Sequence, residues 1–183
     1  ISAEGAPGHS SMPPLRSRIG EVAEALYKLE TNQMPARLQG VARQSLEALA
    51  PEMSGLNRLI LTNLWLTEPL ARATLAKGQS SSAMMRTTTA LTVFNAGEKS
   101  NVLPAKAEAL VNFRVAPGDT VESVMQHVRY TIGNPLLKTA TIGVSRDPSP
   151  VSPSDSEAFK LIERTVRETM PEAVVAPGLV IAG

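Results

Sequence analysis

The clearest pattern in the chain runs from Ala105 to Val115, where apolar and polar positions alternate. Ala107, Ala109, Val111, Phe113 and Val115 share one face, and Glu108, Leu110, Asn112 and Arg114 the other. Period-two alternation predicts a strand with one face on a core and the other turned to solvent or a site. Arg86–Ala96, rich in Thr, Val and Phe, predicts a second strand. Leu136–Arg146 predicts a third, and Ile1–Ala6 the end of another. The segment Glu98–Pro104 reads as a turn.

Two helical periods join these strands. Arg16–Thr31 sets Ile19, Val22, Ala23, Leu26 and Leu29 on one face at 3.6-residue spacing. Pro117–Gly118 makes a corner, and Asp119 with Glu122 three residues on reads as a helix N-cap. Val121, Val124, Met125 and Val128 stripe the helix that follows. The order strand, helix, strand, strand, helix, strand is the ferredoxin-like split βαβ arrangement. It predicts an α+β domain with a four-stranded antiparallel sheet and two helices on one face. The other face and an edge strand stay open to another chain.

Between the first helix and the next strand lies a helical insertion, at about 36–82 by its residue pattern. Val41, Leu46 and Leu49 form one stripe closed by Pro51. The leucine-rich Leu56–Lys77 follows, broken around Pro69, and Gly78–Ser82 reads as a flexible loop. After Asp147 the Pro/Ser-rich PSPVSPSDS reads as a linker. Ser154 with Glu157 then caps a helix to about Met170, with Leu161, Ile162 and Val166 inward, and Val174–Ala182 is strand-like. The pattern thus divides the chain into a domain over 1–147 and the start of a different α/β unit over 148–183. The first residues, ISAEGAPG, and the last, VVAPGLVIAG, both look like strand material, so the chain reads as a piece of a larger protein.

Composition adds limits. The 183 residues are 43% hydrophobic but only 3% aromatic, so the core must be aliphatic. Eighteen basic and 17 acidic residues leave a net charge of +1, which gives no reason to expect a nucleic acid or an anionic membrane as partner. With no Cys there is no disulfide framework and no thiolate chemistry.

Few side chains are left for chemistry. The two histidines, His9 and His127, form no HxxxH or HxD motif, so no zinc site is expected within the chain. His127 reads as a surface histidine of the second helix. His9 lies in the Pro-bounded loop GHSSMPP, where spacing alone favours a histidine that only hydrogen-bonds backbone. Arg114 is either an edge-strand charge or a guanidinium fork for a carboxylate. Asn101 is a turn former by default, and its amide suits a carbonyl or carboxylate.

Three segments together resemble a known family: GHSSMPP, then RTTTALTVFNAGEKSNVLPAKAEALVNFRVAPGDT, then PVSPSD. They are similar to the lid or dimerisation domain of the zinc aminoacylase/carboxypeptidase enzymes, peptidase family M20. The carboxypeptidase PS-like branch, with its N-fatty-acyl-amino-acid hydrolases, is the nearest in pattern. The resemblance implies a parent whose catalytic α/β domain holds two zinc ions, with ligands before Ile1 and after Gly183. It implies a homodimer, a substrate that is a small peptide or N-acyl amino acid with a free carboxylate, and a fragment that is inactive alone. It maps His9 to the lid histidine that holds the scissile carbonyl, often in the partner subunit's site. It maps Arg114 to the arginine that binds the terminal carboxylate and Asn101 to its assistant. The tail from about Pro148 would be the resumption of the catalytic domain. Two other readings stand beside this one: a purely structural dimerisation module, and an independent ferredoxin-like small-molecule sensor.

Overall fold

The computed structural model describes residues 1–179. The chain falls into two compact units, one of Ile1–Met34 with Thr87–Pro148, the other of Pro35–Arg86 with the segment from Ser149 onward.

In the first unit, strands β1 (Ser2–Glu4) and β2 (Gly8–His9) precede helix α1 (Arg18–Thr31). In the second, helices α2 (Gly40–Leu49), α3 (Gly55–Thr62), α4 (Leu64–Leu75) and α5 (Gln79–Met85) follow. The first unit resumes with β3 (Thr88–Ala96), β4 (Val102–Leu103), β5 (Lys106–Arg114) and α6 (Val121–Ile132). Helix α7 (Glu157–Thr169) belongs to the second unit.

The first unit is a layer of helix on sheet. Its main sheet is antiparallel, in the order β1–β5–β3. The alternation read along β5 holds, with Ala107 and Ala109 buried and Val111, Phe113 and Val115 packed at the margin of the same core. Ala3, Ala107 and Ala96 stand in register across the three strands. That row of small side chains lets α1 approach closely, and Val22, Ala25 and Leu29 of α1 are buried with it. The core-facing stripe of α1 is therefore rotated from the expected one, because Ala25 faces the sheet while Ile19 and Ala23 are exposed. Helix α6 adds Val124, Val128 and Ile132. Full burial of each Val, Leu or Ile is worth about 1.5–3 kcal/mol.

The two helices tie off each other's C-terminal carbonyls. Lys28 of α1 donates to the Ile132 carbonyl at 3.1 Å, and His127 of α6 lies 2.9 Å from the Asn32 carbonyl. His127 is thus a half-buried cap for α1, not merely a solvated side chain.

The expected four-stranded sheet has three strands. In place of a strand over Leu136–Arg146 there is a single bridge, Ser2 to Lys138, closed by two backbone hydrogen bonds of 2.9 Å. Gly143 then turns left-handed at φ 72°, and Ile142 and Val144, beyond the bridge, are exposed, so the pairing with β1 does not extend into a strand. The expected N-cap is also corrected. Thr120 caps α6, in a reciprocal box with Ser123, and Asp119 is buried elsewhere.

The second unit has its own core of Leu38, Ala42, Leu64, Ala71 and Met85. The leucine-rich stretch breaks at Asn63, whose amide donates to the Leu59 carbonyl at 2.8 Å, and Pro69 lies inside α4. The expected loop Gly78–Ser82 is mostly helix α5, anchored by Met85, which is buried and whose carbonyl accepts from Arg37 N–H at 2.7 Å. Helix α7 starts at N-cap Ser156, two residues after the expected cap. Its inward-marked Leu161 and Ile162 are exposed. No strand forms over the described part of Val174–Ala182; residues 180–182 lie outside the described residues.

Candidate functional site

The segment expected to be a plain turn carries β4, which pairs with β2 in the register Gly8 to Leu103 and His9 to Val102. This ladder prolongs the β1–β5 ladder with a one-residue slip, spanned by the Gly5 N–H to Ala105 carbonyl bond of 2.8 Å. The two chain segments thus run past the end of the main sheet as a narrow arm. A Cβ on Gly8 would sit 3.3 Å from Leu103 Cδ1, a tight contact that the leucine side chain would have to relieve.

His9 and Asn101 meet on this arm. Ser10 N–H donates to the Asn101 carbonyl at 3.1 Å, and Met12 N–H returns to the His9 carbonyl at 3.1 Å. Both side chains are exposed. The His9 ring is fixed by its neighbour. Ser11 N–H donates to Nδ1 at 3.2 Å, and the Ser11 hydroxyl lies 2.8 Å from the same nitrogen. A backbone N–H can only donate, so Nδ1 is the lone-pair nitrogen and the proton of the neutral ring sits on Nε2. The exposed ring is thereby a hydrogen-bond donor through Nε2, a form suited to a carbonyl oxygen or oxyanion.

Arg114 lies elsewhere. It closes β5 opposite Thr88, eight residues from Lys106, which at about 3.4 Å per residue is about 27 Å of strand. Its side chain is exposed and makes no ion pair or hydrogen bond among the described residues. The structure therefore joins two of the three candidate residues and holds the third at the far end of the sheet.

Charge near the base of the arm is paired. Glu4 bonds Lys138 at 2.7 Å, and Lys106 pairs with Glu108. The Lys138 hydrogen bond holds the Glu4 carboxyl below its usual value, and the Glu108 bond raises the Lys106 ammonium above its own. Neither pair involves His9 or Arg114.

Strand β3 forms one edge of the sheet, and Leu91, Val93 and Phe94 along it are exposed apolar side chains. A bulge between Leu91 and Val93 shifts its register on β5.

The sequence profile described as "Peptidase dimerisation domain" matches residues 1–140. The chain belongs to this family. Among curated relatives, "Probable carboxypeptidase S-like 2" of Dictyostelium discoideum is 41% identical over 175 residues, covering 96% of this chain and 34% of that protein. "N-fatty-acyl-amino acid synthase/hydrolase PM20D1" of Homo sapiens is 40% identical over 174 residues, covering 93% of this chain and 34% of that protein. The chain thus spans about a third of the length of these curated relatives. Among solved structures, an M20 family metallo-carboxypeptidase, Sso-CP2 from Sulfolobus solfataricus, superposes with a TM-score of 0.57 at 17% identity. The match covers 97% of this chain and 49% of that one, and it supports the fold of the peptidase dimerisation domain.

Enzymes of this family are metal-dependent, whereas the described residues here offer only scattered His, Asp and Glu side chains. They hold no group of three or more His, Asp or Glu side chains placed for a metal ion. His9 stands on β2 and His127 on α6. These residues do not fit a zinc centre. Among the described residues no helix is long and apolar enough to cross a membrane.

Proposed function

We propose that this peptidase dimerisation domain is the substrate-clamping lid of a zinc hydrolase. Its parent would cleave the amide bond of a peptide or N-acyl amino acid with a free carboxylate. His9 donates from Nε2 to the scissile carbonyl oxygen and to the oxyanion that develops on it. Asn101 assists, and Arg114 binds the terminal carboxylate. The zinc ions, two in the parent, belong to a catalytic domain outside this chain. Residues 148–183 begin that domain, a reading supported by the uncovered apolar face of α7 at Leu161 and Ile162.

The single observation that carries this reading is the convergence of His9 and Asn101 on one arm, with the His9 ring set as a donor. The length of β5 favours a shared arrangement. One copy cannot present His9 and Arg114 to the same small substrate if about 27 Å of strand separates the ends that bear them. In a homodimer the arm of one subunit would complete the site served by Arg114 of the other. The exposed apolar edge of β3 supports pairing with a second copy. The same edge also suits a second reading, a dimerisation module with no substrate contact.

The test uses the full-length enzyme with its metal bound. Arg114→Ala is compared with wild type on an N-acyl amino acid and on its C-terminal carboxamide. A loss confined to the free acid, with fold and metal content intact, supports the clamp. Equal kinetics on both substrates removes it and leaves the dimerisation module.

A further inference from the structure

The end of β5 that carries Arg114 is closed by a buried polar contact. Thr87 has no exposed surface and directly precedes Thr88, the ladder partner of Arg114. Its hydroxyl accepts the Ala116 N–H at 2.9 Å and donates to Asp119 Oδ2 at 2.6 Å. Asp119 is 8% exposed, and its own N–H closes a turn on the Ala116 carbonyl at 3.0 Å. One hydroxyl therefore ties the last rung of the β3–β5 ladder to the corner that leads into α6.

We propose that Thr87 and Asp119 are positioning residues that aim Arg114, and through it set recognition of a substrate carboxylate. This rests on the clamp reading of Arg114. The argument is chemical. A last-rung residue frays, and its long side chain samples many directions unless the backbone beyond it is held. A guanidinium binds a carboxylate best in one planar, two-pronged orientation, so its base must be fixed. The Thr87 hydroxyl fixes residues 116 and 119, on the far side of Arg114 from the sheet. Valine would fill the same volume without any such bond.

The experiment measures KM and kcat of the full-length, metal-loaded enzyme for an N-acyl leucine and its C-terminal carboxamide. The variants are Thr87→Val, Thr87→Ser, Asp119→Asn, Arg114→Ala and the Thr87→Val/Arg114→Ala pair. Thr87→Val is expected to raise KM for the free acid about tenfold, the scale of one lost hydrogen bond to a charged group. Its kcat and its carboxamide kinetics should stay near wild type. Thr87→Ser should restore the wild-type KM, and Asp119→Asn, which keeps an acceptor for the hydroxyl, should fall between. In the Arg114→Ala background Thr87→Val should add nothing. The inference is overturned if Thr87→Val lowers Tm but changes both substrates alike. It is overturned too if Asp119→Asn, well folded, leaves the free-acid KM untouched while Thr87→Val does not fold. If Arg114→Ala itself spares the free acid, the clamp reading fails first. If Arg114→Ala is selective and the Thr87 and Asp119 variants are not, only the positioning role is lost.

Discussion

At the His9–Asn101 end of the sheet the backbone is held by a two-residue ladder and a few loop hydrogen bonds, and the side chains stand in solvent. At the Arg114 end a fully buried hydroxyl and a nearly buried carboxylate lock the corner under an exposed guanidinium. The difference suits the two tasks proposed. A histidine whose ring is already set as a donor can ride on an arm that moves with lid closure, whereas a carboxylate anchor needs a fixed base. Amide hydrogen exchange reads this contrast directly. The Ser10 and Val102 amides should exchange faster than the Ala116 amide. Equal protection at both ends would remove the distinction.

The largest predicted effect is at the arm. His9→Ala in the intact enzyme should lower kcat about 10²–10³-fold, the usual cost of one oxyanion donor. Steady-state kinetics on enzyme of unchanged metal content checks it. Mixing His9→Ala with Arg114→Ala subunits sharpens the comparison. If the two ends serve different sites, a mixed dimer keeps one intact site and recovers about half of the wild-type activity. If both ends serve one site, the mixture stays as inactive as its parents.

Two stability changes probe the stretch between the ends. Ala107→Leu places a large side chain in the alanine row beneath α1 and should cost about 1–3 kcal/mol in chemical denaturation. Gly118, at φ 95° in the corner after Arg114, has a backbone that alanine rarely adopts. Gly118→Ala should cost about 1 kcal/mol and raise exchange at Ala116 but not at Ser10.

The smallest effect concerns the base of the arm. Glu4 is held below its ordinary value of 4.5 by Lys138, so the contact stabilises the fold above that pH and is lost as pH falls through the lowered value. Wild type and Glu4→Gln should therefore differ slightly in Tm at neutral pH and converge in strong acid. The pair is exposed, and salt should shrink the difference further.

The parts of the fold that were legible in the sequence are those with a long, regular period. The alternation along β5 and the stripe of α6 each involve many residues whose burial agrees with one axis. The arm was not legible, because two-residue strands among Gly and Pro carry no period at all. Asp119 misled for a local reason: Asp and Thr both make N-caps, and only tertiary contact decides that Thr120 caps while Asp119 turns to Thr87. The segment after α6 has the composition of a strand, but its Ile142 and Val144 find no core among the described residues. For the site, motif resemblance pointed to His9, Asn101 and Arg114. That His9 adjoins Asn101, and that β5 separates Arg114 from both, depends on pairings with no local signature.

The interruption of the first unit has a consequence for how the chain is made. β1 and α1 leave the ribosome before residues 35–86, whereas β5 and α6, which cover Val22, Ala25 and Leu29, come after them. The apolar face of α1 must wait through the synthesis of the whole second-unit segment before its partners exist. Each doubling of an intervening loop adds only about 0.6 kcal/mol to closure, so the length of that segment has little influence on final stability. Its influence is on timing: a longer insertion prolongs the period in which the nascent helix is uncovered and open to wrong partners. Variation in residues 35–86 would then be limited by the rate of completing the sheet and by chaperone access, more than by the energy of the finished domain.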